Sequence, residues 1–205
     1  MHSHFVPGQS TQRNTMASTS SPVPGANLSE FTIENHSAVV ELRRLLHQHP
    51  EVGLELPNTA RIIEGELDRF GIRHGRCTDN GIVGLIEGSE PGPVVMLRAD
   101  MDALPVTEAT GHEYVSKSPG SMHACGHDTH MAMQVGAIAR LAQEGIPRGT
   151  LKLVFQPGEE GHHGAEKMIA AGVLDNPNVD VAYGQHIWSG EPLGKILVES
   201  GPVMA

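Results

Sequence analysis

Four groups of polar residues in this 205-residue chain have the types and spacing that catalytic or binding chemistry requires. The first is Asp100 with Asp102. The second is His123, Cys125, His127, Asp128 and His130, within Met-His-Ala-Cys-Gly-His-Asp-Thr-His. The third is Glu159-Glu160, and the fourth is His186. Cysteine, histidine and carboxylate are what zinc and similar divalent ions accept. In a non-helical stretch, side chains two residues apart point the same way, so Cys125 and His127 suit a single ion. Adjacent side chains point apart, which gives Glu159 and Glu160 different tasks: one to hold metal, the other to face a substrate and handle protons. Four of the thirteen histidines of the chain fall in these groups, and His162-His163 closely follow the third.

Each group also has a plain reading. Cys125 and His127 can be a buried cysteine beside a loop histidine, and Glu159-Glu160 a solvated acidic turn. Asp100 and Asp102 can cap a loop, and His186 can be a half-buried histidine beside Trp188. His162-His163 lies in a Gly-rich turn and is expected to face solvent. His47 and His49 close a helix, where the dipole favours partial positive charge. A second Cys/His pair of suitable spacing is lacking, which disfavours a structural zinc finger. A metal site is favoured because all four groups fall at equivalent places relative to the elements around them.

Those elements follow from the hydrophobic pattern. Val39, Leu42, Leu45 and Leu46 predict a helix from about Phe31 to His49, stopped by Pro50. A second helix fits Asn58 to Phe70, with Ile62, Ile63, Leu67 and Phe70 as its stripe and Gly71 as its stop. Gly81–Glu87 reads as a strand, 88–92 as a turn, and Pro93–Arg98 as a strand covered on both faces. Met131, Val135, Ile138 and Leu141 mark a helix after a long loop. Leu151–Phe155 is a strand, Ala165–Ala171 a short helix, Val179–Gln185 a strand, and Gly194–Glu199 a further one. Strands alternating with helices predict an α/β fold around a mostly parallel sheet. In such sheets the carboxyl ends of the strands share one ligand-binding edge, where the four groups would meet.

Composition narrows the function classes. A net charge of −10 with no long basic run argues against nucleic acid and acidic membrane surfaces as partners. No apolar stretch approaches about 18 residues, so no transmembrane helix is expected. Two cysteines are too few for a disulfide framework. Residues 1–30 read as a disordered leader without the basic start and apolar core of a secretory signal, and the expected location is the cytoplasm.

Five motifs carry a resemblance: Leu46-His-Gln-His-Pro-Glu51, Leu97-Arg-Ala-Asp-Met-Asp-Ala-Leu-Pro105, Met122-His-Ala-Cys-Gly-His-Asp128, Phe155-Gln-Pro-Gly-Glu-Glu160 and Gly184-Gln-His-Ile187. Over residues 34–205 the chain resembles the amidohydrolase branch of the M20 metallopeptidases: hippurate hydrolases, N-acyl-amino-acid deacylases and auxin-conjugate hydrolases. The resemblance implies a three-layer α/β/α catalytic domain like that of the zinc exopeptidases. It implies two divalent ions (zinc, manganese, cobalt or nickel), with Cys125, His127, Glu160 and His186 as ligands and Glu159 as catalytic base. Asp100 and Asp102 take a ligand-supporting place. The implied substrate is a small N-acyl amino acid, cleaved to a carboxylic acid and a free amino acid.

The same resemblance sets out departures. Relatives are about twice as long and insert a lid or dimerisation domain after the segment holding Gly201–Ala205; the return supplies a last metal-binding histidine. Residues 31–205 are therefore expected to be the N-terminal portion of a catalytic domain, C-terminally incomplete, with homo-oligomers a property of the full-length form. The rival is a non-catalytic fragment that binds metal or needs a partner chain. A third reading, Cys125 as a thiolate nucleophile, requires a thiolate not occupied by metal.

Overall fold

The computed structural model describes residues 28–198, 200 and 201, with side chains from residue 35 onward. Most of the expected leader, residues 1–27, lies outside the described residues, and residues 28–30 open the first helix. The chain runs α1 (Leu28–Gln48), α2 (Pro57–Arg69), β1 (Arg73–Arg76), β2 (Ile82–Glu87), β3 (Glu90–Asp100), α3 (His127–Glu144), β4 (Arg148–Gln156), α4 (Gly164–Ala170) and β5 (Val181–Gly184).

Helix α2 shows how local sequence sets these elements. Pro57 occupies the first turn, where its missing N–H costs nothing. The Glu51 carboxylate supplies the cap from outside the helix, accepting the backbone N–H groups of Asn58 (3.1 Å) and Thr59 (2.8 Å). Ala60, Ile63 and Leu67, spaced to share one face, are fully buried. Gly71, at φ +64°, releases the chain after the last turn.

Leu42 and Leu46 of α1, the buried face of α2, and Met131, Val135 and Ile138 of α3 pack on one face of the sheet against Ile82, Ile86, Leu151, Leu153 and Phe155. Leu45, expected in the α1 stripe, is exposed instead. Gly136 brings α1 close to α3, since a Cβ there would stand 3.0 Å from Val39 Cγ2. On the opposite face Met168 of α4 and Val173 pack with Val154 of β4. Each fully buried Leu or Ile contributes about 1.5–3 kcal/mol, so the large α1–α2–α3 cluster dominates the stability of this three-layer arrangement.

The strand order is β1-β2-β4-β3-β5. β1 pairs antiparallel with β2 and β2 antiparallel with β4, while β3 pairs parallel with both β4 and β5. Four strands thus point one way and β2 opposes them, in keeping with the mostly parallel sheet that was expected. Central β4 is buried continuously from Leu151 to Gln156. The expectation of a doubly covered strand thus describes β4 rather than β3, whose residues 94–98 are only half-buried. β3 also starts at Glu90, inside the expected 88–92 turn, with a register shift between Glu90 and Val94.

Two further differences concern short segments. Arg73–Arg76 forms β1 although its sequence has no apolar alternation, because its backbone is recruited by β2 at the sheet edge. Gly194–Val198 makes no ladder; Lys195 N–H turns back to the Pro192 carbonyl, and Ile196 and Val198 stay exposed. An apolar run becomes a strand only where a neighbour supplies hydrogen-bond partners. Glu199 lies outside the described residues.

Candidate metal centre

β3 ends at Asp100, level with Gln156 of β4, and Arg98 is level with Gly184 of β5. The polar groups that follow these strands therefore emerge along one edge. The N-terminus of α3 meets the same edge and brings His127 with it. All four groups separated in sequence converge there.

His127 sits at the centre, with no solvent exposure. Its Nδ1–H donates to the Asp102 carbonyl at 2.8 Å, which leaves Nε2 as a bare lone pair. That atom is buried without a hydrogen-bond partner. Around it stand Asp100 Oδ2 at 3.7 Å, Glu159 Oε2 at 3.8 Å and Glu160 Oε1 at 3.8 Å. Burial lowers the affinity of the imidazole for a proton, but the Asp102 and Asp100 carboxylates more than offset it and the His127 pKa is raised. A buried nitrogen aimed at three carboxylates is a site that wants a cation.

Cys125 and His186 complete the cluster. Their Sγ and Nε2 atoms are 3.4 Å apart, and the ligand atoms of Cys125, His127 and His186 all lie within 4.8 Å of one another. The same limit holds for His127, Glu159 and Glu160. His186 Nδ1 donates to the Ile187 carbonyl at 2.6 Å, so its Nε2 lone pair is the free one. Burial and then the Glu160, Glu159 and Asp100 carboxylates push the Cys125 thiol up to about 12. At neutral pH it is therefore protonated, which disfavours Cys125 as a free thiolate nucleophile. A divalent cation among these carboxylates would reverse that balance. The donor set fits such an ion in chemistry: thiol sulfur, two imidazole nitrogens and carboxylate oxygens.

The two aspartates have distinct partners. Asp102 accepts the backbone N–H groups of Glu159 (2.8 Å) and Glu160 (3.0 Å) and so fixes the turn that presents both glutamates. Burial opposes its charge, but the His127 imidazole and then these two backbone bonds keep its pKa low. Asp100 accepts from Arg98 (2.7 Å) and from His130 Nδ1 (2.7 Å). There too burial is outweighed, by the His130 hydrogen bond and the neighbouring His127 and Arg98, and the carboxyl is held at about 2.

Reading the sequence left other residues without a role that geometry now places. His130 is fully buried and lies within reach of Asp100 and His127, yet both of its nitrogens are engaged, Nε2 accepting the Ile187 N–H at 2.9 Å. His47 sits in the last turn of α1, as expected, and is buried there, held by Asp128 Oδ2 (2.7 Å) and Glu108 Oε1 (3.2 Å). Arg43 reaches the same Asp128 oxygen at 2.8 Å. Asp128 directly follows His127, so this network ties α1 to the start of α3. The pairing of Arg43 and His47 four residues apart on one helix face is a signal the sequence contained. His123 is buried with neither ring nitrogen hydrogen-bonded, and burial pushes its pKa down to about 4. His162 and His163 are exposed, as expected.

Fold and site together define a class: an α/β protein whose sheet edge gathers the donors of a divalent-metal site. The family model of peptidase family M20/M25/M40 matches residues 96–201, just over half of the chain, and the chain belongs to that family. It is 43% identical over 172 residues to thermostable carboxypeptidase 1 of Saccharolobus solfataricus, covering 82% of this chain and 43% of that protein. It is 44% identical over 170 residues to an N-acyl-L-amino acid amidohydrolase of Geobacillus stearothermophilus, covering 82% and 45%. Among solved structures, the YXEP protein of Bacillus subtilis, described as a dinuclear metal-binding peptidase of the M20 family, superposes with a TM-score of 0.78 at 38% identity. That match covers 85% of this chain and 48% of the other. The chain thus spans less than half the length of these relatives.

Proposed function

We propose that this chain carries the metal-binding part of an M20 amidohydrolase that hydrolyses the amide bond of small N-acyl amino acids. One observation carries the reading: the buried, unpartnered His127 Nε2 facing Asp100, Glu159 and Glu160, with Cys125 and His186 beside it. The names of the similar carboxypeptidase and N-acyl-amino-acid amidohydrolase support the substrate class. Cys125, His127, Glu160 and His186 hold two divalent ions in this reading, as the dinuclear description of the similar B. subtilis protein supports. Ions bound there supply Lewis acidity, which polarises an amide carbonyl and acidifies water.

The chain's own residues do the rest. Asp102 holds the Glu159–Glu160 turn through two backbone N–H groups. The Glu159 side chain is 39% exposed, against 25% for Glu160, so Glu159 is the carboxylate open to an incoming substrate. Its carboxylate takes a proton from water and returns it to the leaving amine nitrogen. In the full-length form carrying Glu159→Gln, metal content is expected to match wild type while turnover of an N-acyl amino acid falls about 10²–10⁴-fold. Retained turnover would refute the base assignment. Unchanged metal content in Cys125→Ser and His127→Ala together would refute the site.

A second reading, a metal-binding chain that acts only with a partner chain, is favoured by the exposure at the β5 edge. Tyr183, Trp188, Leu193 and Ile196 are all more than half exposed there. Turnover by the purified 205-residue chain alone would reject it.

A further inference from the structure

We infer that His130 is a positioning residue that seats His186, by latching the segment 185–187 from both sides of it. The inference rests on the proposed role of His186 as a metal ligand.

The segment that carries His186 has little else to hold it. All of β5 is exposed, and so are residues 185–190 that follow it. The exposed imidazole, at the end of an edge strand, is packed only against the rings of His127, His130 and Trp188. Yet its Nε2 is placed 3.4 Å from Cys125 Sγ. Beyond that contact, the ring's one hydrogen bond is to its own neighbour, the Ile187 carbonyl. Something other than burial sets its position.

His130 is fully buried in the first turns of α3 and touches this segment at two points. Its Nε2 accepts the Ile187 backbone N–H at 2.9 Å. Its carbonyl accepts the Gln185 side-chain amide at 3.5 Å. His186 is thus bracketed, and the two rings meet edge to face with centroids 4.6 Å apart. The latch works only in one tautomer. A backbone N–H is a donor, so Nε2 must be bare and the proton must sit on Nδ1. Asp100 enforces this, because its carboxylate accepts from Nδ1 at 2.7 Å and is itself held by Arg98 at 2.7 Å. The chain Arg98–Asp100–His130–Ile187 therefore runs from strand β3 through helix α3 to the His186 segment.

Gly126 completes the seat. A Cβ at that position would stand 2.3 Å from Ile187 Cδ1, so glycine leaves room for the Ile187 side chain to lie against the start of α3. The same residue adopts φ +90°, where L side chains are strained. His130 cannot at once serve as a ligand in the Asp100–His127–His130 group, since both nitrogens are spent.

The test is a Co²⁺ titration of the metal-free 205-residue chain, followed by visible absorption and with thermal unfolding measured in parallel. His130→Asn keeps a group able to bond Asp100 but is too short to accept from Ile187. It is expected to weaken Co²⁺ binding about 10–100-fold, the usual effect of losing a residue that orients a ligand. His186→Ala sets the reference loss. Because His130 acts through His186, His130→Asn/His186→Ala is expected to bind no more weakly than His186→Ala alone. Wild-type affinity in His130→Asn, or losses that add in the double variant, would overturn the inference while leaving the proposed site intact. Wild-type binding that His186→Ala does not change would instead refute the ligand role and this inference with it. If His130→Asn does not fold, Gln185→Ala removes the other point of the latch, and the same non-additivity with His186→Ala decides the outcome.

Discussion

Replacing Asp102 by asparagine probes the joint between two strand ends. The wild-type carboxylate has two acceptor oxygens, one for the N–H of Glu159 and one for that of Glu160. Asparagine has the same shape but one oxygen and one NH₂ group, so in either orientation one of these N–H groups faces a donor. A hydrogen bond to a charged group contributes about 1.5–3 kcal/mol, and stranding one of these part-buried donors adds a cost at the low end, about 1 kcal/mol. Asp102 is fully buried, so solvent screening does not reduce these figures. Asp102→Asn is therefore expected to destabilise the fold by about 2–4 kcal/mol. At about 2–4 °C per kcal/mol for a chain of this size, the melting temperature falls by roughly 4–16 °C. Because the turn carries both glutamates, affinity for Zn²⁺ or Co²⁺ is expected to fall about 10–100-fold. Chemical denaturation and competitive metal titration read the two effects separately. Wild-type midpoint and wild-type affinity in this variant would refute the claim that the carboxylate fixes the turn.

Other perturbations follow from single contacts. The hydrogen bond that His47 donates to Asp128 raises the His47 pKa above 6.5 despite burial, so that contribution to stability is full below about pH 6.5 and is lost as pH rises through the raised value. Glu108 is held at about 2, its burial outweighed by bonds from Thr110, Ser116 and His47, so its contribution is full above about pH 4.5 and lost toward pH 2. Unfolding midpoints of wild type are expected to be best between these limits, and the advantage over His47→Gln is expected to shrink on going alkaline; a pH-independent advantage would contradict the charged pairing. Lys152 is buried, and its Nζ donates to the Val173, Asp175 and Pro177 carbonyls at 2.8, 2.7 and 2.9 Å. Lys152→Met leaves all three without that donor and is expected to cost about 3 kcal/mol or more in urea unfolding; a loss below about 1 kcal/mol would show that the loop re-pairs with water. Gly164→Ala would place a Cβ 1.6 Å from the Pro157 carbonyl oxygen, a backbone atom that cannot swing aside. It is expected to abolish soluble folded protein, and a variant with wild-type melting would contradict this packing of α4 against the turn after β4.

Much of the molecule was determined by the sequence itself. The 3.6-residue pattern of Ile63 and Leu67, with Pro57 before and Gly71 after, marks α2 because helices are stabilised by contacts a few residues apart. The short run Leu151–Phe155, rich in Leu, Val and Phe, marks a strand by its length and composition, and the polar groups after strand ends were legible as a metal-binding set. The tertiary structure decided what depends on partners distant in the chain. β1 is a strand because β2 lies beside it, whereas Gly194–Val198, more apolar, is not one for want of a neighbour. Nothing local distinguishes His130 from the exposed His163, and the Arg43–His47 spacing marks a pair without naming its partner. Their roles come from Asp100, 30 residues away, from Ile187, 57 away, and from Asp128, 81 away. Hydrogen-bond direction and burial are properties of such pairs, and a pair exists only once the sheet order β1-β2-β4-β3-β5 has brought its members together.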